Sequence, residues 1–187
     1  MSKRKIFAFI DPGPEKDASP SKHGSALVIW DGEKILYKSK GIRDNLTGET
    51  PLLSPSGIQD ILISFIKPGV FIKVGIEMIA SYGMPVGKEV FSTCLVIGEL
   101  RHRLNEIGFC VDLIYRKDIK LHLCGSPRAK DSNISQALKD RYGKPGTKKF
   151  PNEVYQDGNL GPSLSGDGWA AFAGAVYLHD KFTEGIV

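Results

Sequence analysis

The chain has 187 residues, 41% hydrophobic and 25% charged, with a net charge of +4. These values suit one ordinary globular domain, which at this size buries roughly 70% of its unfolded surface without disulfide staples. Three widely spaced cysteines (Cys94, Cys110, Cys124) form no CxxC pair, which excludes zinc-ribbon and redox motifs and suits a reducing, cytoplasmic setting.

The basic start is followed by an apolar run too short for a signal peptide. The longest apolar stretch, Trp169 to Leu178, is far below a membrane span, so a soluble, unexported protein is expected. Strand 1 is predicted at Lys5 to Asp11, followed by a polar loop, Pro12 to Gly24. Strands 2 and 3 are predicted at Ser25 to Trp30 and Lys34 to Lys40, joined at Asp31-Gly32, a two-residue hairpin signal. A helix follows, with Ser56 and Gln59 at capping-box spacing and Ile58, Ile61, Leu62 and Phe65 as its apolar face; Lys67-Pro68-Gly69 stops it. Strand 4, Phe71 to Glu77, then returns parallel to strand 1.

A long helix is predicted from about Val86 to Ile107, closed by Gly108. Its core stripe reads Val86, Val90, Cys94, Ile97, Leu100, Leu104 and Ile107. Phe91, Leu95, Gly98 and His102 form a second stripe, suited either to contact across a two-fold axis or to cover by a later loop. Strand 5 is Phe109 to Tyr115, and a short helix spans about Asp118 to Leu123. A further helix starts at Asp131 or Ser132 and ends at Tyr142-Gly143. Lys144 to Ser165 reads as a mobile loop, and a last helix runs from Gly166 to about Phe182.

Three acids stand at the ends of these elements: Asp11 closes strand 1, Glu77 closes strand 4, and Asp167 opens the last helix. Parallel neighbouring strands would bring Asp11 and Glu77 together at the carboxyl edge of the sheet, where open α/β sheets bind ligands. Converging carboxylates need positive charge between them, and hard oxygen donors favour Mg²⁺ or Mn²⁺. Each acid also has a plainer reading: Asp11 as a turn residue in Asp-Pro-Gly, Glu77 as a lysine's partner, and Asp167 as favourable charge at a helix N-terminus. The four histidines (His23, His102, His122, His179) show no ligand spacing. From Arg116 to Lys149 ten basic residues face three acidic ones, a net of seven positive charges and a plausible footprint for a phosphate backbone as well as an ordinary solvated surface.

The order βββαβαβ followed by helices, with these acids in place, resembles the RNase H-like nuclease fold. Within it the chain is similar to RuvC-type Holliday-junction resolvases, especially the phage-encoded members. The residues that carry the resemblance are Phe9-Ile-Asp-Pro-Gly13, Gly75-Ile-Glu-Met-Ile-Ala-Ser-Tyr-Gly-Met84, Lys120 through Asn133, and Gly166-Asp-Gly-Trp-Ala-Ala171. The resemblance implies a single RNase H-like domain spanning residues 1–187. Its five-stranded mixed sheet would have strands 1–3 antiparallel and strands 4 and 5 parallel to strand 1, flanked by helices. It implies Asp11 as the ligand bridging two metal ions, with Glu77 and Asp167 beside it, and Lys120 and Lys130 near the scissile phosphate, Lys130 as a catalytic residue. Tyr82 and Met84 lie in the loop that carries an apolar wedge in this family, a known way to unstack DNA. Arg128, Lys148 and Lys149 are expected to add DNA contacts. One departure stands out: Leu164 occupies the place of a further aspartate one helical turn before Asp167; Asp131 and Asp157 are the candidate substitutes, and the pattern assigns neither.

The expected function is a homodimeric endonuclease, dependent on Mg²⁺ or Mn²⁺, that resolves four-way and other branched DNA by two-metal phosphodiester hydrolysis. The alternative is a non-catalytic branched-DNA-binding module. An actin-like or sugar-kinase ATPase also carries Asp-x-Gly on strand 1, but it needs two related domains and this chain has no second such strand. An RNase H acting on hybrids is a relative of the leading reading.

Overall fold

The computed structural model describes residues 4–13, 25–39, 54–81, 83, 85–147, 149–150, 152–156, 164 and 166–185. Five strands form one sheet: β1 (Arg4–Asp11), β2 (Ala26–Trp30), β3 (Ile35–Lys38), β4 (Val70–Met78) and β5 (Val111–Tyr115), in the order β3-β2-β1-β4-β5. β1 pairs antiparallel with β2, and β2 with β3, while β4 runs parallel to β1 and β5 parallel to β4. This is the mixed sheet expected from the sequence.

β1 reads as an unbroken apolar run because it lies mid-sheet and both its faces are covered. Ile6, Ala8 and Ile10 face one layer, built by α1 (Pro55–Ser64) and α2 (Lys88–Glu106). Phe7 and Phe9 face the other, built by α3 (Arg116–Cys124), α4 (Asp131–Tyr142) and α5 (Gly166–Thr183). Strand alternation puts Asp11 on the Phe9 side. On β4 it puts Gly75 and Glu77 on that same side, opposite Val74 and Ile76. Ile10 pairs with Ile76, so Asp11 and Glu77 stand one residue further on, side by side at the carboxyl edge.

α5 is apolar nearly all round, the mark of a buried helix: Ala170 through Val176 and Leu178 are buried against β1 and β2. Its close approach depends on two glycines around the ring of Phe9. A Cβ on Gly174 would lie 2.2 Å from Phe9 Cδ1, and one on Gly75 would lie 2.9 Å from both Phe9 Cδ2 and Leu178 Cδ1. Full burial of a phenylalanine such as Phe9 contributes about 1.5–3 kcal/mol. This packing brings the first turn of α5, and with it Asp167, to the Asp11 edge.

The far ends of the same three helices meet in a second polar cluster. Asp180 of α5 is buried and accepts two hydrogen bonds from Arg141 of α4, at 2.5 and 2.7 Å, one from His122 of α3 at 2.8 Å, and one from its neighbour His179 at 3.1 Å. Burial opposes ionisation of Asp180, but the bonds from Arg141, His122 and His179 override it and hold the carboxyl well below the usual range. These two histidines are therefore partly buried partners of Asp180, while His102 is exposed and His23 lies outside the described residues.

Local details depart from the sequence reading in four places. The β2–β3 connection has four residues, because Asp31 Oδ1 accepts from the backbone N–H groups of Glu33 and Lys34 and closes a wider turn, with Gly32 at φ +96°. The cap of α1 is Ser54, whose Oγ accepts from Gly57 N at 3.1 Å; Pro55, with no N–H to satisfy, takes the first helical position and moves the cap ahead of Ser56. The buried face of α2 is Thr93, Val96, Ile97, Leu100 and Leu104, rotated from the expected stripe, and Val86 precedes the helix and is exposed. The segment read as a mobile loop is pinned in part by a 3-10 turn, Glu153–Tyr155. Tyr155 is buried, its hydroxyl donates to Gly143 O at 2.7 Å, Asn152 donates to the carbonyls of Tyr142 and Lys144, and the buried Lys38 ammonium donates to the Tyr155 carbonyl. Phe91, Leu95, Gly98 and His102 are all exposed, Phe91 at 60% and Leu95 at 75%, so no described residue covers this stripe. No helix among the described residues is long and apolar enough to cross a membrane.

Candidate functional site

Strand ends and helix starts converge at the carboxyl edge of the sheet. Asp11 ends β1, Glu77 stands near the end of β4, Arg116 follows the end of β5, Asp131 begins α4 and Asp167 lies in the first turn of α5. The β4–β5 register pairs Glu77 with Ile114, so the first residue after β5 is delivered beside Glu77.

Burial and neighbouring negative charge together set the electrostatics. Burial and then the charge of Glu77 push the Asp11 carboxyl from 3.8 up to about 8; Asp167 and Asp131 act in the same direction, and Arg116 opposes them. Burial also raises Glu77, partly offset by Arg116. Of the three acids singled out in the sequence, Glu77 and Asp167 therefore both lie within range of Asp11. The three do not close into a ready ligand set: among the described residues no three His, Cys, Asp or Glu side chains are grouped so as to hold a metal ion.

The counter-charge in this arrangement comes from Arg116. Its Nη1 donates to both oxygens of Glu77, at 3.1 and 2.9 Å. The same guanidinium meets Asp131, through Nε at 3.3 Å and Nη2 at 3.2 Å, and Lys120 meets Asp131 at 3.2 Å. Arg116 entered the sequence reading only as one charge in a basic stretch. The signal that would have found it is its place directly after strand 5, on the same edge as the two strand-ending acids.

The other candidates divide. Glu77, Arg116, Lys117, Lys120 and Arg128 line a pocket of about 450 Å³ beside the acids, together with the short run Met78 to Ala80 and Pro127. Lys130 is exposed at the start of α4, where its backbone N–H donates to Asn133 Oδ1 at 2.9 Å, and it does not line that pocket. Lys149 is exposed beside the ring of Phe150 and does not line it either. Tyr82, Met84, Lys148 and Asp157 lie outside the described residues. Asp131, one of two candidates for a fourth carboxylate, is near enough to raise Asp11, but its side chain is 67% exposed and held by two cations.

The donor set fits a hard divalent cation. All the candidate ligands are carboxylate oxygens, and burial, then the neighbouring charge of Glu77, raises the Asp11 carboxyl, so a cation there would relieve both.

No protein-family model matches the chain, and no curated protein sequence does. Solved structures do match it, two RuvC structures among them. One is Thermus thermophilus RuvC, with a TM-score of 0.60 at 14% identity, covering 97% of each chain. The other is T. thermophilus RuvC in complex with a Holliday junction substrate, at the same TM-score and identity, covering 97% of this chain and 96% of that one. At this identity the likeness is one of fold: the mixed sheet and its flanking helices follow the RNase H-like arrangement of RuvC.

Proposed function

We propose that the chain is a metal-dependent endonuclease that cuts four-way junctions and other branched DNA. One observation carries the reading: Asp11, Glu77 and Asp167, from three separate elements, share one sheet edge, where burial and then the charges of Glu77 and Asp167 raise the Asp11 carboxyl. Support comes from the fold, which is shared with a RuvC solved on a Holliday junction, and from the cationic pocket against Glu77.

Asp11, Glu77 and Asp167 would hold Mg²⁺ or Mn²⁺, two ions per site. When bound, such ions supply Lewis acidity and lower the pKa of water for in-line attack on a phosphodiester. Arg116, Lys117, Lys120 and Arg128 bind and orient the phosphate backbone that enters the pocket. Lys130 and Lys149 extend the cationic path, with Tyr82, Met84 and Lys148 as further contacts. The exposed Phe91, Leu95, Gly98 and His102 stripe on α2 serves a symmetric homodimer, which would present two sites to the two strands of a junction. The enzyme would act on DNA in the cytoplasm.

The test is cleavage of a four-way junction, a splayed duplex and a linear duplex with Mg²⁺, Mn²⁺ or EDTA. Junction cleavage should require metal and be abolished by Asp11→Asn and by Glu77→Gln in proteins that remain folded. Cleavage that survives both substitutions refutes the reading.

A second reading, a junction-binding module without catalysis, is favoured by Leu164 in place of a further acid and by Arg116 on both oxygens of Glu77. It requires tight, steeply salt-sensitive binding of branched DNA in EDTA and no cutting under any condition.

A further inference from the structure

We propose that Arg116 guards the carboxylate site: it occupies Glu77 in the metal-free protein, competes with a divalent cation for that carboxylate, and moves to phosphate when DNA enters the adjoining pocket. The inference rests on the nuclease reading above and adds to it a regulator of metal loading.

The geometry has three parts. First, one guanidinium nitrogen bonds both oxygens of Glu77, so the side chain cannot offer an unshared oxygen pair to another cation while Arg116 stays. Second, the remaining nitrogens already reach Asp131, and Lys120 meets the same carboxylate from α3. Asp131 is a resting place that Arg116 need not leave when it releases Glu77. Third, the pocket next to this pair is lined by Lys117, Lys120 and Arg128 and is open to a phosphate. A guanidinium binds phosphate as readily as carboxylate, in a bidentate fork.

The chemistry of arginine makes this arrangement behave differently from a lysine or histidine in the same place. A guanidinium does not lose its proton in a protein. Arg116 therefore cannot be titrated off Glu77; it leaves only when another cation takes the carboxylate or another anion takes the guanidinium. Metal binding and phosphate binding thus help each other, because each removes one side of the Glu77–Arg116 pair, and such coupling is reciprocal. The metal-free, DNA-free protein is held in a closed state, and loading is favoured when substrate is present.

The test is Mn²⁺ binding to DNA-free protein, followed by calorimetry and by the electron paramagnetic resonance signal of free Mn²⁺, with folding checked by circular dichroism. Arg116→Gln is expected to bind Mn²⁺ at least about tenfold tighter than wild type, since even partial removal of a unit charge a few ångströms away is worth that much. Arg116→Lys keeps the charge but loses the fork; it is expected to tighten binding less, and it decides the matter if Arg116→Gln does not fold. Adding inorganic phosphate should tighten Mn²⁺ binding to wild type and leave Arg116→Gln unchanged. Equal or weaker Mn²⁺ binding by the folded Arg116 variants overturns the guard role while leaving the metal site in place. Absence of Mn²⁺ binding in wild type and both variants, or binding undiminished by Asp11→Asn with Glu77→Gln, overturns the carboxylate site itself.

Discussion

Gly174→Ala measures how tightly the site depends on the seating of α5. The new Cβ would lie 2.2 to 2.3 Å from three ring carbons of Phe9. Ordinary carbon contacts are about 3.5–4.0 Å, so helix and strand must separate by more than an ångström, or the ring must leave its rotamer. Alanine gains about 1 kcal/mol of helix propensity over glycine. Overpacking typically costs about 1–3 kcal/mol and more when the backbone must move; a clash this deep belongs at the upper end. The net expectation is a loss of roughly 2 kcal/mol or more in urea denaturation, with thermal unfolding lowered by about 4–8 °C for a chain of this size. Adding Phe9→Leu should recover part of the loss, and a double-mutant cycle should show coupling above about 0.5 kcal/mol. Because α5 carries Asp167, the proposed nuclease reading expects junction cleavage to fall further than stability does. A Gly174→Ala protein as stable as wild type would refute the close approach of α5 to β1.

Three further outcomes follow from the charges. Asp11 keeps its proton to about pH 8 in the folded, metal-free protein because of burial and then Glu77, whereas its ordinary value is 3.8. The folded state therefore binds more protons, its stability falls as pH rises from about 4 to 8, and Asp11→Asn should flatten that slope in EDTA, with Glu77 supplying the remainder. Asp180 has the opposite sign: its depressed carboxyl contributes stability fully present above about pH 4 and lost as pH falls below it, so Asp180→Asn should destabilise the protein by roughly 3–5 kcal/mol at neutral pH, and the difference from wild type should shrink in acid. Tyr155→Phe leaves its ring in the core but removes the bond to Gly143 O; a loss of about 1 kcal/mol by chemical denaturation is expected.

The sheet and the three acids were legible because each rests on a local pattern. An unbroken apolar run marked β1, a run interrupted by Lys73 marked β4, a turn signal linked β2 to β3, and one helical crossover made β4 parallel to β1. From those alone Asp11 and Glu77 fall side by side. What escaped depends on side chains meeting across the fold or within a turn. The Asp31 carboxylate widens its own hairpin, which a dipeptide pattern does not reveal. Arg116 is 39 residues from Glu77 in sequence, and nothing local distinguishes it from the other cations near it. Tyr155 lies in a stretch whose glycines and prolines read as loop, yet its ring fills the core and its hydroxyl finds a carbonyl.

The clamp at Asp180 has a consequence for the opposite end of the molecule. α3, α4 and α5 each send their first turn to the acidic edge and their last turn to that one aspartate. Over the 13 residues from Asp167 to Asp180 an α-helix spans about 20 Å. The three helices thus behave like the legs of a tripod joined at a single head, and the spacing of their feet is set there. If the chain is the proposed nuclease, altered cleavage geometry is therefore to be sought as much in substitutions at His122, Arg141 and Asp180 as in those at the acids themselves.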